Sequence, residues 1–103
     1  MLSDYSRTLP SEWTDMSRIF IALGDEHRQR MLLLFEPGER LNVGQIAEVS
    51  TLGRSTVSHH LKILREAGVL VSEKIGKEVW FRINREALEA SLGNVLDYLK
   101  ENT

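Results

Sequence analysis

The chain has 103 residues, 42% of them hydrophobic and 27% charged, a balance that fits one globular domain and excludes disordered and fibrous classes. It contains no cysteine, so a disulfide scaffold, a thiolate metal site and a thiol switch are all excluded. The net charge of −2 conceals an uneven distribution: residues 1–53 sum to −3, residues 54–85 to +4 and residues 86–103 to −3. Positive charge confined to one segment is what contact with a phosphate backbone needs, because only the surface facing the nucleic acid has to be basic. The start of the chain lacks the pattern of a signal peptide, and no unbroken apolar run is longer than Met31 to Phe35, far too short to span a bilayer. A cytoplasmic protein with no membrane partner is expected.

Pro10 and Ser11 open a first predicted helix, about 11–23, in which Trp13, Met16, Phe20 and Leu23 recur at spacings of three and four until Gly24 stops it. Asp25 is the expected N-cap of a second helix running through Phe35, ended by Pro37-Gly38; its leucine density marks it as the most buried element. Asn42 followed three residues later by Gln45 reads as a capping box for a short third helix containing Val43, Ile46, Ala47 and Val49. After a turn from Ser50 to Gly53, a fourth helix runs from Arg54 to Ala67, with Gly68 as a left-handed C-cap.

Beyond Gly68 the period shortens to two. Val69–Lys74 and Glu78–Ile83 are predicted strands of a hairpin around Gly76, with Val79, Phe81 and Ile83 on one face. Asn84 then caps a last helix, about 85–101, whose Leu88, Leu92, Val95, Leu96 and Leu99 fall on one side. The expected architecture is mainly α with a small β-hairpin: a single winged helix-turn-helix domain over residues 1–103, with the helix-turn-helix at 42–67 and the wing at 69–83.

The fourth helix carries the chemistry. Val57, Leu61 and Leu64 form its inward stripe, whereas Ser55, Ser58, His59, Lys62 and Arg65 share the other side. Short hydroxyl and imidazole groups near the helix start can approach base edges, and longer cations further along reach phosphates. Arg54, beside Thr56 in the first turn, can chelate a guanine through O6 and N7. On the hairpin, Lys74, Lys77 and Arg82 are candidate contacts to the adjacent backbone or minor groove. Adjacent Ser58, His59 and His60 do not make a nucleophile and its base, because neighbours on one helix turn do not converge in a pocket; no enzymatic activity is expected.

IAEVSTLGRSTVSHHLKILREAGVL followed by VSEKIGKEVWFRI resembles the helix-turn-helix and wing of the ArsR/SmtB family of bacterial repressors, and ALGDEHRQRMLLL upstream extends the similarity to roughly residues 18–99. The resemblance implies a homodimer built on the first and last helices that binds an inverted repeat in double-stranded DNA and lets go when an effector is sensed. It places the DNA-reading positions at Arg54, Ser55, Ser58, His59 and Lys62. Where that family carries metal-binding cysteines this chain has Asn42 and Gly44, and its histidines are only His27, His59 and His60, none on the last helix; no metal or other cofactor is expected. Family wings are often richer in arginine, and Glu73 departs from that pattern.

Trp13, Met16, Phe20, Leu92, Val95, Leu96 and Leu99 are the expected dimer contacts, being more apolar surface than one small core requires. Trp13, Phe20, Trp80 and Tyr98 are read as core or interface packing rather than as the lining of a ligand pocket, and the residues name no effector. The alternative function is a winged-helix module that docks onto a protein partner, which would expose aromatic or aliphatic anchors on the fourth helix in place of its polar face.

Overall fold

The computed structural model describes residues 7–103. In chain order the elements are α1 (Ser11–Leu23), α2 (Glu26–Leu32), β1 (Leu41–Asn42), α3 (Val43–Val49), α4 (Arg54–Glu66), β2 (Leu70–Ile75), β3 (Glu78–Ile83) and α5 (Arg85–Asn102). The helix starts follow their capping residues. Asp25 accepts from the Arg28 amide at 3.1 Å, and Asn84 accepts from the Ala87 amide at 3.4 Å. Asn42 and Gln45 form the full reciprocal box, each side chain accepting from the other's backbone amide at 2.9 and 3.0 Å.

The end of α4 is fixed as firmly. Gly68 takes φ +84°, its amide donates to the Arg65 carbonyl, and the Val69 amide donates to the Leu64 carbonyl at 2.9 Å. This is the Schellman arrangement, and its accompanying apolar contact is supplied by Leu64 and Val69, both fully buried. The turn sends the chain back along the body as β2. The sheet is antiparallel in the order β1-β3-β2, with Leu41 opposite Phe81 and Ser72 opposite Phe81 from the other side. A two-residue loop with Gly76 at φ +62° closes the β2–β3 hairpin.

The core gathers Ile19 and Ala22 of α1, Met31, Ile46, the α4 stripe Val57, Leu61 and Leu64, and Val69, Leu70 and Phe81 of the wing base. Two expectations are corrected here. The second helix ends at Leu32, not Phe35: the amides of Leu34 and Phe35 bond three residues back, to Met31 and Leu32, so the last turn tightens ahead of Pro37. Nor is it the most buried element, since only Met31 is buried and the shortened helix leaves Leu33 85% exposed. That place belongs to α4, whose three inward residues are all 0% exposed. β1 was not anticipated, because two residues show no alternation; it exists only through its pairing with β3.

The first helix turns a different stripe inward from the one expected. Met16, Ile19 and Ala22 are buried, whereas Phe20 faces outward and Trp13 and Leu23 are half-buried. Helix α5 has 18 residues and buries none of them completely.

Candidate nucleic-acid interface

Helix α4 presents two faces of opposite chemistry. While Val57, Leu61 and Leu64 lock it into the core, Arg54, Ser55, Thr56, Ser58, His59, Lys62 and Arg65 are all exposed. The inward residues recur at i, i+4 and i+7, so core burial alone fixes which side of the helix meets solvent. Gly53 precedes the helix without a side-chain cap, which leaves the amides of the first turn open at the same end as Arg54, Ser55 and Thr56. Positive helix-terminal dipole, a guanidinium and two hydroxyls thus converge on one exposed corner.

Arg54 does not extend freely from that corner. Its guanidinium lies over Gly44 in the first turn of α3, where an added Cβ would sit 3.4 Å from Nη1 and 3.5 Å from Asn42 Oδ1. A methyl group at Gly44 would only touch the guanidinium, so Arg54 rests beside the first turn of α3 without a bond that holds it there. Farther along, Glu66 approaches Lys62 at 3.9 Å and Arg65 at 4.0 Å. These are exposed pairs, worth about 0–1 kcal/mol each, and a stronger anion can displace them.

The cations assigned to the wing do not form one patch. Partners across an antiparallel ladder share a face, so Lys74 lies with Val79 and Phe81, whereas Arg82 lies with Val71, Glu73 and Trp80 on the reverse side. Lys74 and Lys77 sit at the projecting tip, where both strands are exposed; Arg82 lies toward the base, opposite Val71 and five residues past the loop. Glu73 is paired with Arg40 at 3.3 Å, an exposed contact that partly offsets this carboxylate within the fold. Arg40 escaped the sequence reading because only the register of β1 brings it beside the hairpin.

Behind α4, His60 is half-buried between helices. Arg28 Nη1 donates to His60 Nδ1 at 3.3 Å while its Nε donates to the Ala22 carbonyl at 2.7 Å, tying together α1, α2 and α4. Burial pushes the His60 imidazole below its ordinary value, the nearby Asp25 opposes this, and Arg28, His27 and His59 add to the lowering. His60 is thus a packing residue facing inward, and His59, one residue away, is exposed on the outer face.

The α1 and α5 residues expected at a partner interface divide. Trp13 stacks edge-to-face on Tyr98 with ring centroids 5.3 Å apart, joining α1 to α5 within the chain. Met16 is only 7% exposed and has little surface left to give a partner. Phe20, Leu92, Leu96 and Leu99 remain exposed, and Val95 is half-buried. Among the described residues no group of three or more His, Cys, Asp or Glu side chains is placed to hold a metal ion, and no helix is long and apolar enough to cross a membrane.

Residues 25–72, which include α2, α3, α4 and the start of the wing, match the family model described as bacterial regulatory protein, arsR family. The arsenic resistance transcriptional regulator ArsR1 of Pseudomonas putida is 34% identical over 86 residues, 81% of this chain and 67% of that protein. The chain belongs to the ArsR family. As an ArsR-family transcriptional regulator it is also similar to the transcriptional repressor SdpR of Bacillus subtilis, 29% identical across 84% of this chain and 94% of that one. The fold of this ArsR-family chain matches the homodimeric winged helix-turn-helix DNA-binding domain of Mb0332 from Mycobacterium bovis, with a TM-score of 0.68 over 89% of this chain and 84% of that one at 22% identity.

Proposed function

We propose that the protein is a cytoplasmic transcriptional repressor that binds an inverted repeat in double-stranded DNA as a homodimer, with α4 in the major groove and the tip of the β2–β3 hairpin on the flanking backbone. The observation that carries this reading is the division of α4 into a fully buried apolar stripe and an exposed face that holds Arg54, Ser55, Thr56, Ser58, His59, Lys62 and Arg65 without a carboxylate before Glu66. A helix built to dock on protein would expose apolar anchors there instead. Arg54 is assigned to base edges, Lys62, Arg65, Lys74 and Lys77 to phosphates. Arg82 lies on the reverse sheet face and is assigned no direct part.

Support for the dimer comes from α5 and from shape. Phe20, Leu92, Leu96 and Leu99 would each leave water in a symmetric helical interface, the closed arrangement commonest among homo-oligomers. The described residues have a radius of gyration of 16.2 Å, against about 13 Å for a compact domain of this length, so one chain alone is elongated. The Mycobacterium bovis domain of like fold is described as homodimeric. Neither metal-ligand set of the family is represented at the matching positions, so a regulatory signal other than a thiolate-bound metal is proposed.

The test is a salt titration of binding to the DNA upstream of the protein's own gene, followed by fluorescence anisotropy. Affinity should fall steeply and log-linearly with salt, and Lys62→Ala should flatten the slope by about one unit while weakening all sequences alike. Affinity that ignores ionic strength overturns the assignment.

A further inference from the structure

A cleft of about 610 Å³ lies between the α2–β1 loop, the end of β3 and the first half of α5. Its volume is that of a small-molecule site. The floor is apolar, made by Phe35, Ile83, Leu88 and Leu92, and none of these four is fully buried. The rim is acidic. Glu36, Glu39, Glu86 and Glu89 face two guanidiniums, Arg82 and Arg85, leaving two uncompensated negative charges around the opening.

The partners of these groups sharpen the imbalance. Arg85 Nε is bonded to Glu89 at 2.6 Å, which removes one cation and one carboxylate from the account. Arg82 is shared with the neighbouring groove beside Arg40, Glu73 and Trp80, so it belongs only in part to this cleft. Glu39 receives the Glu36 amide at 3.1 Å, which fixes its carboxylate at the rim, and Glu36 carries no side-chain hydrogen bond or ion pair among the described residues. A low-dielectric floor strengthens the field of such carboxylates on anything lying over it. An anion would be repelled, and a small hydrated cation would gain nothing from the floor. A molecule with an apolar body and one delocalised or quaternary positive charge satisfies both surfaces, with Phe35 available for a cation–π contact.

We propose that this cleft binds a lipophilic cation, its charge held among Glu36, Glu39 and Glu86 and its apolar body laid on Phe35, Ile83 and Leu88, up to Leu92 where the cleft borders the proposed α5 seam. The site touches β3 of the wing and the stripe on α5 that begins at Leu88 and Leu92 and continues to Leu96 and Leu99. If both the dimer and the DNA-binding surface proposed above are in place, an occupant would press on the two elements whose relative position sets the spacing of paired recognition helices. The regulatory half of the proposal rests on that reading; the binding half does not.

Tetraphenylphosphonium and tetraphenylborate, equal in size and shape and opposite in charge, separate the two halves. In calorimetric titrations of the full chain without DNA, the phosphonium should bind and the borate should bind about tenfold more weakly or not at all. The double substitution Glu36→Gln, Glu86→Gln lies on the surface and should weaken phosphonium binding by about tenfold, whereas the distant pair Asp15→Asn, Glu48→Gln should leave it unchanged. Equal binding of both probes, or equal weakening by both variants, overturns the site. In the anisotropy assay the phosphonium should lower operator affinity by about fivefold or more. An unchanged affinity alongside intact calorimetric binding overturns the regulatory half alone, and a chain that binds the phosphonium but never binds DNA overturns the proposed function and spares the cleft.

Discussion

Arg54 stands where the exposed corner of α4 meets α3, and its guanidinium rests over Gly44. Planarity and five donors let it chelate one guanine, which a lysine in that place would not do. Arg54→Ala is expected to relax preference at one base position by about 1–3 kcal/mol, measured by anisotropy against an operator series substituted at single positions; equal loss on every sequence would show a phosphate contact instead. His60 carries a different consequence. Its imidazole is held below its usual 6.5 by burial, so below pH 6.5 the unfolded chain takes up a proton that the folded chain resists. Stability attributable to this group is therefore constant above that pH, falls as pH drops through the window down to the lowered folded value, and then levels. Urea midpoints at about pH 7.5 and about pH 5.5 should differ more for the native chain than for His60→Gln, which keeps an acceptor for Arg28 without the titration. The same drop in both would rule His60 out as its source.

Among the elements, α4 and the wing are joined by a single residue in the left-handed region. Gly68 at φ +84° has no neighbour within 4 Å of a would-be Cβ, so a side chain there meets no clash and its cost is purely conformational. Gly68→Ala should destabilise the fold by about 1–2 kcal/mol, read from a denaturation midpoint, with the slope of the transition unchanged. A neutral outcome would mean that the turn relaxes without the Schellman bonds. The hairpin beyond it is stiff at its base, where Leu70 and Phe81 enter the core, and free at its tip, where Lys74 and Lys77 project. This gradient suits a wing: anchoring fixes its direction, and exposure lets it follow a backbone.

At the scale of the molecule, one chain accounts for its core but not for its last helix. α5 leaves Leu92, Leu96 and Leu99 at 41%, 52% and 47% exposure, on a helix of 18 residues that buries none of them completely. Replacing Leu96 with glutamate should convert the dimer to a monomer at micromolar concentration in sedimentation, because each symmetric interface then buries two carboxylates. The same variant should bind a single half-site about as the native chain does and lose the gain from pairing two half-sites. A dimer that survives Leu96→Glu would place the interface elsewhere.

Period and punctuation were enough for much of this protein. The 3.6-residue stripe Val57, Leu61, Leu64 states which side of α4 is buried, and hence which side is left to solvent, before any neighbour is known; Asn42, Asp25, Asn84 and Gly68 mark helix ends through bonds made within a few residues. Such features are local, and local chemistry is written in local sequence. The pairing of β1 with β3, the ion pair between Arg40 and Glu73, the separation of Lys74 from Arg82 and the clasp of Arg28 on His60 join residues that are distant along the chain or on opposite faces of one hairpin. Choosing Ile19 over Phe20 for the core was likewise beyond reach, since the stripe Trp13, Met16, Phe20, Leu23 and the overlapping stripe Met16, Ile19, Ala22 both fit a helix face and only packing against the rest of the chain decides which turns inward. Long-range register and the competition between equivalent faces are set by packing, and packing exists only once the whole chain has folded.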